Sequence, residues 1–116
     1  MKRIKYFLIL MLVFSGTLSN AQNITTTSKD TSISFKVFGA CEQCKARIEG
    51  VVKGRGVKKA NWDIDSKMLS LTYNPLQISL EKIQNRIVAV GHDLENKKAK
   101  DNVYKELPSC CHYREM

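Results

Sequence analysis

The sequence predicts an α+β fold in which two helices cover one face of a four-stranded antiparallel sheet. Two kinds of pattern predict it. Segments in which apolar and polar residues alternate are typical of half-buried strands, and segments with apolar residues every three or four positions are typical of amphipathic helices. These segments follow one another as strand, helix, strand, strand, helix, strand over residues 32–100, which is enough for one small domain.

The first strand and helix flank a loop that contains cysteine. Alternation predicts a strand at residues 32–38, with inward-facing side chains at Ile33, Phe35 and Val37. Apolar positions spaced by four, three and one then predict a helix that ends near Gly54, with its apolar face at Cys44, Ile48, Val51 and Val52. The first strand therefore leads directly into the loop and the helix.

A hairpin and a second helix complete the pattern. Strands are predicted at residues 57–64 and 68–73, joined by a tight turn at 65–67. Ser79 is a favourable N-cap for a helix that Gly91 ends. The charged segment 93–100 is predicted as a fourth, edge strand, because lysines on an edge discourage unwanted pairing. The result is a ferredoxin-like βαββαβ sandwich, the domain spanning residues 32–100.

The first 21 residues have the features of a secretory signal peptide. Three basic residues precede an apolar run at residues 6–14, which is too short to cross a bilayer. Cleavage is expected between Ala21 and Gln22. Residues 22–31 would then form a flexible lead-in. We therefore expect a periplasmic or secreted protein with no stable membrane insertion after cleavage.

Charge and composition favour a binding protein over an enzyme or a nucleic-acid binder. The 116 residues carry a net charge of +8, and loss of the leader would lower it to +5. The basic residues are scattered, which is not typical of a nucleic-acid site but is compatible with an acidic protein partner. The sequence shows no carboxylate pair, serine–histidine arrangement or phosphate loop that would indicate catalysis.

A pair of cysteines lies where the first strand gives way to the first helix. Cys41 falls in the loop and Cys44 in the first helical turn, where the helix amides and Lys45 favour thiolates. Such a pair can bind Cu(I), and Hg(II), Zn(II) or Cd(II) with further ligands. A redox couple and a structural disulfide are the alternatives. Glu42 and Gln43 between the cysteines differ from the Gly-Pro pair usual in thioredoxin-like redox sites.

With the segments "GACEQC" and "MLSLTYNPLQISLEKIQNRIVAVGHD", the chain resembles the heavy-metal-associated domain family over roughly residues 32–100. The family includes copper chaperones, amino-terminal domains of metal-pumping ATPases and periplasmic mercury-binding proteins. Its Gly-Met-x-Cys-x-x-Cys pattern is matched by Gly39, Cys41 and Cys44, although only Ala40 separates Gly39 from Cys41.

The resemblance implies a copper chaperone-like carrier that binds a thiophilic ion, foremost Cu(I), through Cys41 and Cys44. Its partner would be a metal-transporting ATPase or an efflux or uptake protein with an acidic docking face. An Hg(II) scavenger and a thiol–disulfide oxidoreductase are the alternatives. In the family the turn that contains His92 approaches the metal loop, so His92 is a candidate third ligand or a group that tunes the thiolates.

The tail, residues 101–116, lies outside the limits of the family. Val103, Tyr104 and Leu107 predict one helical turn packed on the domain and ended by Pro108. Beyond it, three soft or borderline ligands are adjacent: Cys110, Cys111 and His112. They are candidates for additional metal ligands, and a disulfide to the Cys41–Cys44 pair or to a partner is the alternative.

Overall fold

The computed structural model of the protein describes residues 29–116. Its elements in chain order are β1 (Thr31–Lys36), α1 (Glu42–Val52), β2 (Val57–Trp62), β3 (Met68–Tyr73), α2 (Leu80–Ala89) and α3 (Asp101–Lys105), and two 3-10 helices follow at Ser109–Cys111 and Tyr113–Glu115. The predicted leader, residues 1–21, and most of the predicted lead-in lie outside the described residues. Within residues 29–116, no helix is both long and apolar enough to cross a membrane.

The three strands form an antiparallel sheet in the order β1-β3-β2. Alternation decides which side chains face the helices: Leu69, Leu71 and Tyr73 of β3 are buried, whereas Ser70 between them is exposed. On the outer face Ser70 pairs with Ser34 across the strands at 3.2 Å between hydroxyl oxygens. One face of the sheet is therefore apolar and the other polar, as the sequence predicts.

Helices α1 and α2 share one hydrophobic core with the apolar face of the sheet. Their buried side chains are Cys44, Ile48, Val52, Ile83 and Ile87. The predicted N-cap is confirmed, because the Ser79 hydroxyl accepts a hydrogen bond from the Lys82 amide at 3.2 Å. Trp62 and Tyr73 are also buried in this core. Cys44 is thus a core residue as well as a candidate ligand.

The predicted fourth strand at residues 93–100 is absent from the described residues, and a three-stranded sheet takes the place of the expected four-stranded one. The chain meets the end of β1 in one isolated bridge, Val37 to Leu94, and then turns away where the Leu94 amide donates to the Lys97 carbonyl at 2.7 Å. Beyond Leu94 the segment has no alternating apolar side chains to bury against the core, so little favours its continuation along the sheet.

The tail packs against the domain. The predicted helical turn is confirmed as α3, with Tyr104 and Leu107 buried in the main core. Pro108 precedes the first 3-10 helix, which contacts α1 and buries Cys111. The tail therefore returns the second pair of cysteines to the helix that bears the first pair.

Candidate metal centre

The loop that holds the first cysteine passes close to the core. Cys41 is the N-cap residue of α1, with an extended backbone, and Cys44 lies in the first turn. Gly39 is buried before them, and a Cβ on Gly39 would lie 3.0 Å from the Trp62 ring and 3.1 Å from the Cys44 Cβ. Only a glycine fits here without displacing one of these side chains. Gly39 therefore sets how closely the loop approaches Cys44.

Three sulfurs converge at this point. The Cys41 Sγ lies 3.4 Å from the Cys44 Sγ and 3.2 Å from the Cys111 Sγ. All three sulfurs lie within 4.8 Å of one another, in a cluster able to hold a metal ion. Cys44 and Cys111 are paired as a disulfide, which links α1 to the tail across 67 residues of sequence. The same side chains can thus form either a covalent bond or, once reduced, a three-thiolate site.

Cys110 is the exposed neighbour of this cluster. Its Sγ lies 2.8 Å from the Cys41 Sγ and 3.9 Å from the Cys111 Sγ, and it also contacts the Gln43 side-chain oxygen at 3.5 Å. Cys41 and Cys110 are the two free cysteines. The structure therefore brings all four cysteines of the chain together.

The hydrogen-bond donors around its sulfur favour a thiolate at Cys41. Burial acts to raise the pKa of the Cys41 thiol, but hydrogen bonds from the Cys110 thiol and from the Cys44 and Gln43 amides outweigh it and lower this pKa. The thiol of Cys110 has a raised pKa, chiefly because it shares that hydrogen bond with Cys41. Cys41 is thus the readier metal ligand of the two free thiols.

Arg47 is a cation in contact with the centre that was not predicted from the sequence. Its Nη1 donates to the Cys111 Sγ at 3.4 Å. Lys45, the expected cation, instead donates to Glu49 at 2.6 Å and to the Trp62 carbonyl at 2.8 Å. Arg47 follows Cys44 by three positions on α1, a spacing that places both on one face of the helix and that could have identified it.

An ion-pair network holds the end of the tail against the turn that follows α2. The Arg114 guanidinium donates to both carboxylate oxygens of Asp93, at 2.8 and 2.7 Å, and to Asp101 at 2.8 Å. Burial opposes ionisation of Asp93, but these bonds outweigh it and lower the pKa of its carboxyl. Tyr113 adds a bond from its hydroxyl to the Gly91 carbonyl at 2.7 Å. No sequence pattern pairs Arg114 with Asp93, because they meet only through the fold.

His92 is buried next to the loop. Its Nδ1 lies 2.8 Å from the Phe38 carbonyl oxygen, and since a carbonyl can only accept, Nδ1 donates. The Nε2 atom is buried and has no hydrogen-bond partner among the described residues. Burial lowers the pKa of His92, which favours the neutral ring with a free lone pair on Nε2. Metal-bound histidines commonly have this arrangement, but His92 is outside the three-sulfur group. Its role as a ligand therefore stays a prediction.

His112 points elsewhere. Its Nε2 lies 2.8 Å from the Leu107 carbonyl oxygen, and its ring packs against Tyr104 with centroids 5.2 Å apart. Like His92, it is outside the three-sulfur group. Of the six predicted ligands, the structure thus brings the four cysteines together and leaves the two histidines in hydrogen bonds with backbone carbonyls.

The fold and the sulfur cluster together define a small α+β domain with a thiol-rich site at the tip of its first helix. The model of the heavy-metal-associated domain matches residues 34–93, and the chain belongs to that family. The matched segment includes Cys41, Cys44 and His92 and stops before the tail. Cys110 and Cys111 therefore lie outside the matched domain.

The proteins to which this chain is similar include a metal-transporting ATPase and the N-terminal domains of two others. A zinc-transporting ATPase from Synechocystis sp. is 38% identical over 60 residues, which cover 51% of this chain and 8% of the ATPase. The N-terminal domain of a potential copper-translocating P-type ATPase from Bacillus subtilis, in its Cu(I)-loaded state, is 25% identical, with a TM-score of 0.54 over 65% of this chain and 96% of that one. The N-terminal domain of the zinc(II) ATPase ZiaA is 35% identical, with a TM-score of 0.50 over 57% of this chain and 64% of that one.

Proposed function

We propose that the protein is an exported carrier that binds one Cu(I) ion through Cys41 and Cys44, with Cys111 as a third ligand. One observation carries this proposal: the sulfurs of Cys41, Cys44 and Cys111 lie within 4.8 Å of one another. Two of these side chains are fully buried and the third is half-buried, so an ion bound there would be shielded from solvent. The role is carriage of an ion and not catalysis.

The choice of metal rests on ligand chemistry. Thiolates are soft ligands that select Cu(I), and three sulfurs satisfy an ion that accepts a low coordination number. Zn(II) and Cd(II) would need a fourth ligand, for which the Cys110 sulfur lies close enough, and Hg(II) would also accept sulfur alone. The names of the relatives include both copper and zinc. Cu(I) is proposed because three sulfurs, and no carboxylate, form the cluster.

Loading of the ion requires reduction of the Cys44–Cys111 disulfide. A dithiol reductant supplies two electrons, its own sulfurs become a disulfide, and Cys44 and Cys111 each gain a proton as thiols. Binding of the metal then releases those protons, because thiolates are the ligands. We therefore expect the protein to bind Cu(I) only in its reduced form.

Export and partner belong to the same proposal. The leader at residues 1–21 would direct the chain to the periplasm, and the mature chain would keep a net charge of +5. This charge suits a metal-transporting ATPase, or an efflux or uptake protein, with an acidic docking face. Expression of the full chain in a bacterial host followed by fractionation and N-terminal sequencing would test it. A periplasmic product that begins at Gln22 is expected, and a full-length cytoplasmic product would contradict it.

The metal proposal is tested by anaerobic competition with a chromogenic Cu(I) chelator. Reduced protein should bind one Cu(I), and Cys41→Ser/Cys44→Ser should lower the affinity by at least about a hundredfold, since two of the ligands are lost. Ser109→Ala, an exposed change next to Cys110 in the tail, is the control and should bind like the unaltered chain. An unchanged affinity in the double variant would place the site elsewhere.

A thiol–disulfide oxidoreductase is the second candidate, because the structure pairs Cys44 with Cys111 as a disulfide. The Cys41 sulfur lies 3.2 Å from Cys111, so attack by the Cys41 thiolate would form a Cys41–Cys111 bond and release Cys44 as a thiolate. Insulin reduction beside a thioredoxin control separates the two functions. The carrier should turn over slowly, and a rate near that of thioredoxin, with alkylation of Cys41 and Cys44 indifferent to copper, would favour the oxidoreductase.

A further inference from the structure

The tail closes the site and leaves one sulfur in solvent. Cys44 and Cys111 are fully buried and Cys41 is half-buried, whereas Cys110 is exposed. All four cysteines lie in the described residues, so Cys110 is the single exposed thiol of the chain. An acceptor thiol that approaches from solvent cannot reach Cys44 or Cys111 without displacing the tail.

Cys110 is also close enough to share the ion. Two sulfurs bound to one ion at about 2.3 Å each can lie at most roughly 4.6 Å apart. The Cys110 Sγ lies 2.8 Å from the Cys41 Sγ and 3.9 Å from the Cys111 Sγ, both inside this limit. An ion held by Cys41 and Cys111 is therefore within reach of Cys110 with only a small movement of its side chain.

We propose that Cys110 is the transfer ligand, the sulfur through which the ion passes between the buried site and a thiolate acceptor. This rests on the proposed function. The Cys110 sulfur binds the ion and its thiol proton passes to solvent, while a buried sulfur, Cys44 or Cys111, leaves the ion and takes up a proton. A thiolate of the acceptor then replaces the remaining buried sulfur, which takes up a proton, and further acceptor thiolates replace Cys41 and finally Cys110. The ion keeps its oxidation state throughout, and each metal–sulfur bond that forms replaces one that breaks.

A transfer ligand and a ligand of the resting site can be distinguished, because they affect the rate of Cu(I) transfer and the affinity for Cu(I) differently. A ligand needed only for exchange affects how fast the ion leaves, whereas a ligand of the resting site affects how tightly it binds. Cys110→Ser should therefore slow Cu(I) transfer while leaving the affinity nearly unchanged. Cys111→Ser should weaken binding and should not slow release, because it removes a resting ligand and opens the tail.

The test measures both quantities on the full, reduced, Cu(I)-loaded chain. Equilibrium competition with a chromogenic Cu(I) chelator gives the affinity, and stopped-flow transfer to excess dithiothreitol, followed by the change in the copper–thiolate absorbance between the protein-bound and the dithiothreitol-bound ion, gives the rate. For Cys110→Ser we expect transfer slowed by at least about tenfold and an affinity within about threefold of the unaltered chain. Ser109→Ala is the matched control and should change neither.

Two results would overturn the transfer role. Cys110→Ser could transfer at the rate of the unaltered chain, or it could lose as much affinity as Cys111→Ser, which would make Cys110 a resting ligand. Both differ from failure of the proposed function itself. In that case the unaltered chain would not bind Cu(I), or Cys41→Ser/Cys44→Ser would bind it as tightly as the unaltered chain.

Discussion

Arg114 forms two hydrogen bonds with Asp93, at 2.8 and 2.7 Å, and so joins the end of the tail to the turn that follows α2. The Asp93 side chain is 8% exposed and that of Arg114 23%, and such a partly buried, bidentate pair is stronger than a surface pair. Arg114 lies three residues after Cys111. The pair therefore helps to hold Cys111 and Cys110 against α1.

Loss of this pair should destabilise the protein. For Arg114→Ala we expect the free energy of unfolding to fall by about 1–3 kcal/mol, because Asp93 loses a charged partner in a partly buried position. Urea unfolding of the reduced protein measures it. Lys58→Ala, which removes an exposed pair with Asp30 at 2.9 Å, is the control and should change the stability by less than about 1 kcal/mol. Equal losses in the two variants would contradict the anchoring role.

Acid should weaken the fold through His92. Burial lowers its pKa in the folded state, so between the folded and unfolded pKa values the unfolded chain binds the proton more readily. Stability is then complete above the unfolded pKa, about 6.5, and falls as the pH drops below it, by at most about 1.4 kcal/mol per pH unit. Urea unfolding of the reduced, metal-free protein at pH 7.5 and 5.5 measures the loss.

Two variants test whether the His92 ring causes this pH dependence of stability. His92→Asn keeps a donor for the Phe38 carbonyl but removes the titrating group, so much of the loss between the two pH values should disappear. His112→Asn, at the other histidine of the chain, should retain it. The same pH dependence in His92→Asn as in the unaltered protein would show that another group is responsible.

Two glycine-to-alanine changes should have opposite effects. Gly50 lies on the exposed side of α1, and a Cβ there would meet nothing within 4 Å, so Gly50→Ala should stabilise the protein by about 0.5–1 kcal/mol. Gly39→Ala should destabilise it, because the new Cβ would press on Trp62 and Cys44. Thermal unfolding measures both, and a loss of stability in Gly50→Ala would contradict the helix as described.

The Cys44–Cys111 disulfide predicts how many free thiols the oxidised protein contains. Air-oxidised, metal-free protein should show two titratable thiols, at Cys41 and Cys110, and dithiothreitol should raise the count to four. Titration in denaturant with a thiol reagent gives the number, and peptide mapping gives the pairing. A map that joins Cys41 to Cys44 would contradict the pairing of α1 with the tail.

Local patterns predicted much of the fold, and the parts that they missed depend on distant contacts. The bounds of β3 and the N-cap at Ser79 follow from alternation and capping chemistry, which act over a few residues. The prediction of a strand at residues 93–100 was wrong. It rested on the lysines, which are typical of edge strands, but the segment lacks the alternating apolar residues that would pack against the core. The tail's position depends on the contact between Arg114 and Asp93, which are 21 residues apart in the sequence.

The candidate site also has a part that local patterns predict and a part that depends on contacts between distant residues. Cys41 and Cys44 could be identified as candidate metal ligands from their position at the start of a predicted helix. That Cys110 and Cys111 lie against Cys41 is visible only in three dimensions, since nothing in the sequence indicates which way the tail turns after Pro108. The same holds for the Nδ1 bond of His92 to Phe38, across 54 residues.

X-ray absorption of the reduced chain loaded with one equivalent of Cu(I) tests the central claim most directly. The three-sulfur cluster predicts three sulfur ligands in the unaltered protein and two in Cys111→Ser. Ser109→Ala should keep three. Two sulfurs in the unaltered protein, with no change in Cys111→Ser, would contradict the proposal that the tail completes the metal centre.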